Sequence, residues 1–111
     1  MKNILLVCAA GMSTSMLVKR MCEYAATINA EVNINALAIA EAKNKIKNNE
    51  ADIVLLGPQV RFQKSEIEGV AQGRIPVAVI DMKDYGAMNG KSVLEFALSF
   101  LNNNTTNNII H

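Results

Sequence analysis

Histidine is almost absent from this chain of 111 residues, since the only one is the terminal His111. A single terminal histidine excludes a histidine-based catalytic triad, a phosphohistidine within the fold and a histidine-rich metal cluster. The chain also has no excess charge of one sign, with eleven basic residues against ten acidic ones and a net charge of +1. Nucleic-acid binding needs a clustered positive surface. We therefore expect no nucleic-acid partner, no metal and no cofactor.

Long apolar runs and cysteine pairs are scarce as well. No uninterrupted apolar stretch approaches the about 20 residues needed to cross a bilayer. The short apolar run at residues 4–10 is typical of a buried strand rather than of a signal peptide. The two cysteines indicate a reducing compartment and not a disulfide framework. We expect a cytoplasmic protein with no intrinsic membrane insertion.

The chain does contain an alternation of apolar runs and amphipathic segments. Strands are predicted over 3–8, 32–39, 52–56 and 77–80, and helices over 14–28, 41–49, 61–72 and 91–101. Near-continuous Ile, Leu and Val in three of the four runs is typical of parallel strands buried on both faces, whereas the second run alternates as an edge strand does. Right-handed crossovers then predict an α/β fold. It is a single three-layer domain whose four-stranded parallel sheet has the order 2-1-3-4, with helices on both faces.

Local signals refine this arrangement. Ser13 is a natural N-cap for the first helix, and Gly73 suits the end of the third. The first helix carries an apolar stripe of Leu17, Val18, Met21, Cys22, Ala25 and Ile28. The stripe predicts that Cys22 packs in the core. Residues 1–102 form the predicted domain, and the Asn/Thr-rich residues 103–111 form a polar, disordered tail.

Cys8 stands at the point where the first strand gives way to small and hydroxylated residues. A parallel strand that turns directly into a helix places the unpaired N–H groups and the positive dipole end of that helix at one spot. Such a position binds anions and favours thiolate over thiol. The sequence therefore predicts a P-loop-like cysteine loop with Cys8 as the nucleophile. The predicted phosphate-binding residues are Ala9, Ala10, Gly11, Met12, Ser13, Thr14 and Ser15.

The loop can be compared with that of cysteine phosphatases, which runs cysteine, five residues, arginine, then Ser or Thr. In this chain Thr14 is the sixth residue after Cys8 and Ser15 follows, so the arginine is missing. A bidentate guanidinium clamps the transferring phosphoryl group and stabilises the transition state. Without it, the loop suits a phosphocysteine that is held and passed on. A low-molecular-weight cysteine phosphatase and a thiol or arsenate reductase remain alternatives, although Cys22 lies too far along the helix to act as a resolving cysteine.

Ligands of parallel α/β sheets bind beyond the carboxyl ends of the strands. After the third and fourth strands this edge carries Gly57, Pro58, Gln59, Asp81, Asp84 and Tyr85. These residues, apart from Asp84, are the predicted partner-facing edge. Two roles remain open for Asp81 and Asp84. Each could be a solvated carboxylate in a turn, or it could act as a general acid.

Three segments together resemble a known family. Residues 4–18 (ILLVCAAGMSTSMLV), residues 52–60 (DIVLLGPQV), and Val79-Ile80-Asp81 with Tyr85-Gly86 are similar to the lactose/cellobiose (chitobiose) family of IIB components of the sugar phosphotransferase system. The resemblance covers about residues 2–101. It implies a phosphocarrier that accepts a phosphoryl group on Cys8 from a phosphohistidine of the IIA component. The carrier then passes the group to a β-linked disaccharide during uptake through the membrane permease IIC, beside which it would lie at the inner face of the membrane.

Overall fold

The computed structural model describes the backbone of residues 2–7 and 11–110 and the side chains of residues 2–7 and 15–101. Four strands, β1 Lys2–Val7, β2 Val32–Leu37, β3 Ile53–Leu56 and β4 Val77–Val79, form one parallel sheet in the order β2-β1-β3-β4. The helices within the described ranges are α1 Gly11–Thr27, α2 Ile39–Lys47, α3 Lys64–Ala71, α4 Met82–Gly86 and α5 Gly90–Ile110, with a 3-10 helix at Pro58–Gln63. The predicted α/β class and strand order are confirmed.

The alternating side chains of β1 divide the interior into two cores. Ile4 and Leu6 face α1 and α5, while Leu5 and Val7 face α2 and α3, and all four are buried. A central parallel strand needs apolar residues at consecutive positions because both of its faces are covered by helices. The layers are therefore helix, sheet, helix, as predicted.

The register of the sheet sets the position of the candidate site. Val7 pairs with Leu37 on one side and with Leu56 on the other, and Leu56 pairs with Val79. These four residues form one row across the carboxyl edge of the sheet. Val7, the last residue of β1, therefore lies in the interior of this row, between Leu37 and Leu56.

Helices α1 and α5 pack closely at Gly90. A Cβ atom on Gly90 would lie 2.5 Å from the carbonyl carbon of Arg20 and 2.6 Å from the backbone nitrogen of Met21. These are backbone atoms of a helix, and they cannot rotate away as the end of a side chain does. Gly90 therefore permits an approach between the two helices that any larger residue would prevent.

The first helix differs from its prediction at both ends and on one face. It begins at Gly11, so Ser13 lies within its first turn and is not its N-cap. Cys22 and Ile28 are exposed, and the predicted stripe through them was wrong. The buried face is the narrower row of Leu17, Met21 and Ala25, which follows a spacing of four residues. Cys22 lies one position beyond this row, and one residue turns a helix by about 100°.

The remaining helices differ mainly in their bounds. The predicted third helix is split into the 3-10 helix and α3, because Pro58 starts a tight turn directly after Gly57. Helix α3 is followed by Gln72 and Gly73, and both of these residues have a positive φ. Helix α4 was not predicted. Helix α5 continues to Ile110, beyond the expected end at residue 101, and no Gly or Pro follows Gly90 to stop it.

The side chains of residues 102–110 and all of His111 lie outside the described part of the chain. The division into a domain of residues 1–102 and a polar, disordered tail of residues 103–111 stays a prediction.

Candidate active site

The end of β1 is connected to the end of β3 by a backbone hydrogen bond. The N–H of Gly57 donates to the carbonyl oxygen of Val7 at 2.9 Å. Val7 is the residue directly before Cys8 in the chain. The bond thus ties the start of the predicted cysteine loop to the segment that follows β3.

Gly57 fills a narrow space beside this bond. A Cβ atom on it would lie 3.5 Å from the Val7 oxygen, 3.5 Å from Cε2 of Tyr85 and 3.2 Å from Oε1 of Gln59. Tyr85 is only 6% exposed and packs in the core beneath α5. The predicted edge residues Gly57 and Tyr85 are therefore brought together at the end of β1, as buried supports and not as an exposed face.

The other predicted edge residues are divided between interior and surface. Pro58 is buried, whereas Gln59 and Asp81 are exposed. The Asp81 carboxylate is the N-cap of α4 and accepts a hydrogen bond from the N–H of Lys83 at 2.8 Å. Asp81 and Asp84 both line a cavity of about 340 Å³ against Val93 and Phe96 of α5. A capping carboxylate satisfies a helix N–H, so the structure gives Asp81 a local structural role.

The predicted phosphate-binding loop is only partly described. Cys8, Ala9 and Ala10 lie outside the described residues. Gly11, Met12, Ser13 and Thr14 form the start of α1, their side chains also outside the described part, and the exposed Ser15 follows on the same helix. Helix α1 therefore begins earlier than the predicted residue 14, and the role of residues 8–15 in binding phosphate stays a prediction.

Helix α1 has its N-terminus at the carboxyl edge of the sheet, which is the orientation that the predicted anion binding requires. The first N–H groups of an α-helix have no acceptor within the helix, and they lie at its positive dipole end. Because α1 begins at Gly11, three positions after Cys8, these N–H groups belong to residues at the carboxyl edge of the central strand. An anion at that edge would meet donors from the backbone without needing a charged side chain.

A second cavity at the same edge was not expected from the sequence. It has a volume of about 270 Å³ and is lined by Pro58, Gln59, Arg61, Met82, Tyr85 and Gly86. Arg61 and Met82 were missed because the first was placed in a regular helix and the second in a loop. The only signal in the sequence was that Arg61 lies two residues after Gln59 and that Met82 lies one residue after Asp81, since Gln59 and Asp81 were already predicted at this edge.

Among the described residues, no group of three or more His, Cys, Asp or Glu side chains is arranged to hold a metal ion. No helix in this part of the chain is both long and apolar enough to span a membrane.

Comparison with known proteins gives consistent results. The family model described as PTS system, lactose/cellobiose-specific IIB subunit matches residues 3–96. The oligo-beta-mannoside-specific EIIB component of Bacillus subtilis is 49% identical over 104 residues, which are 93% of this chain and 99% of that protein. The cellobiose-specific EIIB component of Lactococcus lactis is 42% identical over 105 residues, or 91% of this chain and 97% of that one.

Solved structures agree with the sequence relatives. The solution structure of a cellobiose-specific IIB component from Borrelia burgdorferi is 45% identical and superposes with a TM-score of 0.75 over 92% of this chain and 93% of that one. The lactose-specific IIB domain from Streptococcus pneumoniae, 22% identical, shares the fold with a TM-score of 0.76 over 88% and 95%. The chain therefore belongs to the lactose/cellobiose-specific IIB family of the sugar phosphotransferase system, and it is a phosphotransferase component.

Proposed function

We propose that the protein is a phosphocarrier in which Cys8 alternates between thiolate and phosphocysteine. The donor is a phosphohistidine of a IIA component, and the final acceptor is a β-linked disaccharide of the cellobiose type bound by a IIC permease. The relatives named for oligo-beta-mannosides and for cellobiose support this class of sugar. The site of action is cytoplasmic, at the inner face of the membrane beside IIC.

The observation that carries this proposal is the path of the chain at the sheet edge. Cys8 follows Val7, whose carbonyl is held by Gly57, and α1 begins only three positions after Cys8. A thiol close to a helix N-terminus has a lowered pKa, because the dipole and free N–H groups stabilise the thiolate. The same donors can receive a phosphoryl dianion after transfer.

The first transfer requires only a nucleophile and an anion site. The Cys8 thiolate attacks phosphorus in line, an S–P bond forms, the P–N bond to imidazole breaks, and its electron pair returns to the histidine nitrogen. Imidazole leaves readily, so a general acid is not needed from this chain. N–H groups of the first turn of α1 stabilise the charge as it moves towards sulfur.

The second transfer regenerates the thiolate. The sugar hydroxyl attacks phosphorus, an O–P bond forms, and the S–P bond breaks. The hydroxyl proton must go to a base, and Asp81 at this edge is engaged as a helix cap. We assign the base to the permease that holds the sugar.

A reconstituted transfer assay tests the proposal. The general phosphotransferase proteins, IIA and IIC-containing membranes are combined with the purified chain, and sugar phosphate is measured. We expect Cys8→Ser to abolish the product and Cys22→Ser to leave its rate nearly unchanged. Equal loss in both variants would refute the assignment to Cys8.

The same preparation separates a carrier from a phosphatase. Wild-type protein should release no inorganic phosphate from an aryl phosphate, because the loop lacks the arginine that phosphatases use. Rapid, Cys8-dependent turnover of an aryl phosphate would favour the phosphatase alternative.

A further inference from the structure

We infer that the outer edge of β2 is a self-association surface, where β2 of a second copy of this chain pairs antiparallel to it about a twofold axis at Ile34. The two four-stranded sheets then join into one continuous sheet. This surface lies at the side of the sheet and is separate from the carboxyl edge at Val7, so the pairing does not depend on the proposed function. We call residues 32–36 the pairing segment.

The hydrogen bonds of the sheet show which backbone groups of β2 lie at its outer edge. Among the described strands, β2 pairs only with β1. The N–H of Lys2 donates to the carbonyl oxygen of Glu31 at 3.2 Å, so this carbonyl points towards β1. Because the backbone groups of successive residues in a strand point to opposite sides, those of Val32, Ile34 and Ala36 point away from the sheet. Each of these three residues therefore presents one donor and one acceptor at the outer edge.

Strand β2 has none of the features that commonly keep strand edges from pairing. Edges are blunted in natural proteins by short strands, proline or charged side chains. β2 is six residues long, with the sequence VNINAL, and contains neither proline nor a charged residue. The strand at the opposite edge of the sheet, β4, has only three residues and directly follows Pro76. Of these two edges, β2 is the one that can form an extended ladder with another strand.

The sequence of the pairing segment is nearly symmetric about its central residue. Asn33 and Asn35 flank Ile34, and the small apolar residues Val32 and Ala36 lie outside them. Antiparallel pairing with Ile34 opposite its own copy therefore places Asn opposite Asn and apolar opposite apolar. No charged side chain of the pairing segment meets a like charge, and the net charge of +1 adds little repulsion between copies. A second copy consequently matches this edge better than an unrelated peptide does.

The same register keeps every side chain on its own face of the sheet. Ile34 is buried in the core shared with α1, with Val32 and Ala36 partly buried beside it, whereas Asn33 and Asn35 are exposed on the opposite face. A shift of one residue would bring Asn opposite apolar residues and turn the outward N–H groups away from their acceptors. Centred on Ile34, each outward N–H of the segment meets an outward carbonyl of the other copy.

Pairing at this edge leaves the carboxyl edge of each copy accessible. β1 runs parallel to β2, so in an antiparallel pair the two β1 strands end at opposite sides of the joined sheet. β2 also lies between β1 and the other copy, and the strand end at Val7 stays uncovered. The contact is limited to one strand and its neighbours. We therefore expect a weak dimer whose population rises with protein concentration.

Paired charge substitutions test the surface by sedimentation equilibrium at increasing concentration. The mass of wild-type protein should rise from 12.1 kDa for one chain towards twice that value. Asn33→Lys with Asn35→Lys places lysine opposite lysine, and we expect it to weaken self-association about tenfold. Mixing this variant with Asn33→Glu/Asn35→Glu should restore the dimer, which also shows that both variants are folded. The control is Asn44→Lys with Asn48→Lys, two exposed asparagines in α2 and at its end, and it should keep the wild-type behaviour.

Cysteine cross-linking tests the register. Asn33→Cys and Asn35→Cys are made separately in a chain that also carries Cys8→Ser and Cys22→Ser. In the inferred pair, residue 33 lies opposite residue 35 of the other copy with their Cα atoms about 4.5 Å apart, which is within the range for a disulfide. We expect a mixture of the two variants to form the mixed disulfide on mild oxidation, and each variant alone to stay uncross-linked. Mass spectrometry of the linked peptides identifies the pair.

Several results would overturn the self-association surface. Wild-type protein that keeps the mass of one chain at the highest concentration forms no such dimer. Self-association that Asn33→Lys with Asn35→Lys leaves unchanged, or that the mixture with the glutamate variant does not restore, would place the contact elsewhere. Disulfides of Asn33→Cys with itself would show a different register. None of these results concerns transfer from IIA to Cys8, so the proposed function is tested independently.

Discussion

At the scale of single residues, glycine is required at Gly90 and dispensable at Gly69. A methyl group on Gly90 would meet the α1 backbone at 2.5 Å, whereas one on Gly69 in α3 would meet no atom within 4 Å. We expect Gly90→Ala to lower the free energy of unfolding by about 1–3 kcal/mol through overpacking. Gly69→Ala should raise it by about 0.5–1 kcal/mol through helix propensity. Urea unfolding measures both, and stabilisation by Gly90→Ala would contradict the close helix contact.

The exposure of Cys22 changes what is expected of the second thiol. A buried Cys22 would resist alkylation, but the structure places it on the surface of α1. We therefore expect native protein to be modified at Cys22 by a maleimide, and Cys22→Ser to change the free energy of unfolding by less than about 0.5 kcal/mol. Peptide mapping after brief labelling shows which thiol has reacted. An unreactive Cys22 in folded protein would contradict its position.

Cys22 lies far from the end of α1 that follows Cys8 in the sequence. It lies eleven residues after the start of α1, about 16 Å along the helix axis. A disulfide needs Cα atoms within about 7 Å. The distance from the start of α1 disfavours Cys22 as the resolving cysteine that a thiol reductase would require.

At the scale of elements, α1 and α5 are joined by a polar contact on top of their apolar packing. The hydroxyl of Tyr24 donates to Oε2 of Glu95 at 2.7 Å, and Nζ of Lys91 lies 5.9 Å from the centre of the same ring. The hydrogen bond to Glu95, with some burial, raises the pKa of Tyr24 above its ordinary value of 10.0. The contact therefore stabilises the fold at neutral pH and is lost as the pH rises through the raised pKa.

A titration tests this link between the two helices. In Glu95→Gln the hydrogen-bonded carboxylate is gone, so the pKa of Tyr24 should fall towards the ordinary tyrosine value. NMR observation of the Tyr24 ring carbon resolves this residue from Tyr85. An unchanged Tyr24 pKa in the variant would show that the contact is absent in solution.

The elements also show which sequence signals predict structure well. Continuous Ile, Leu and Val in β1 and β3 predicted buried parallel strands within one residue of their observed ends. Helix bounds were less accurate, because a Ser at position 13 suits a cap or a first turn equally. Helix α4 was missed because five residues are too few to show a period, and only its Asp81 cap marks the start.

At the scale of the whole molecule, the strand order and the site position could be predicted together. Once β1 lies inside the sheet, its last residue Val7 must stand at the carboxyl edge, where the N–H of Gly57 contacts it, and Cys8 is the next residue in the sequence. Side-chain exposure could not be predicted in the same way, because it depends on how closely α5 packs on α1 at Gly90. Cys22 follows the residues in this contact, Arg20 and Met21, and is exposed. The cavity at Arg61 and Met82 lies between the 3-10 helix and α4, which are far apart in the sequence.

The central claim is that Cys8 alone carries the phosphoryl group, and intact mass spectrometry after phosphorylation by the general phosphotransferase proteins and IIA tests it most directly. Wild-type protein and Cys22→Ser should each gain the mass of one phosphoryl group, and Cys8→Ser should gain none. The modified peptide should contain residue 8. A phosphoryl group on Cys8→Ser, or its absence from Cys22→Ser alone, would contradict the account.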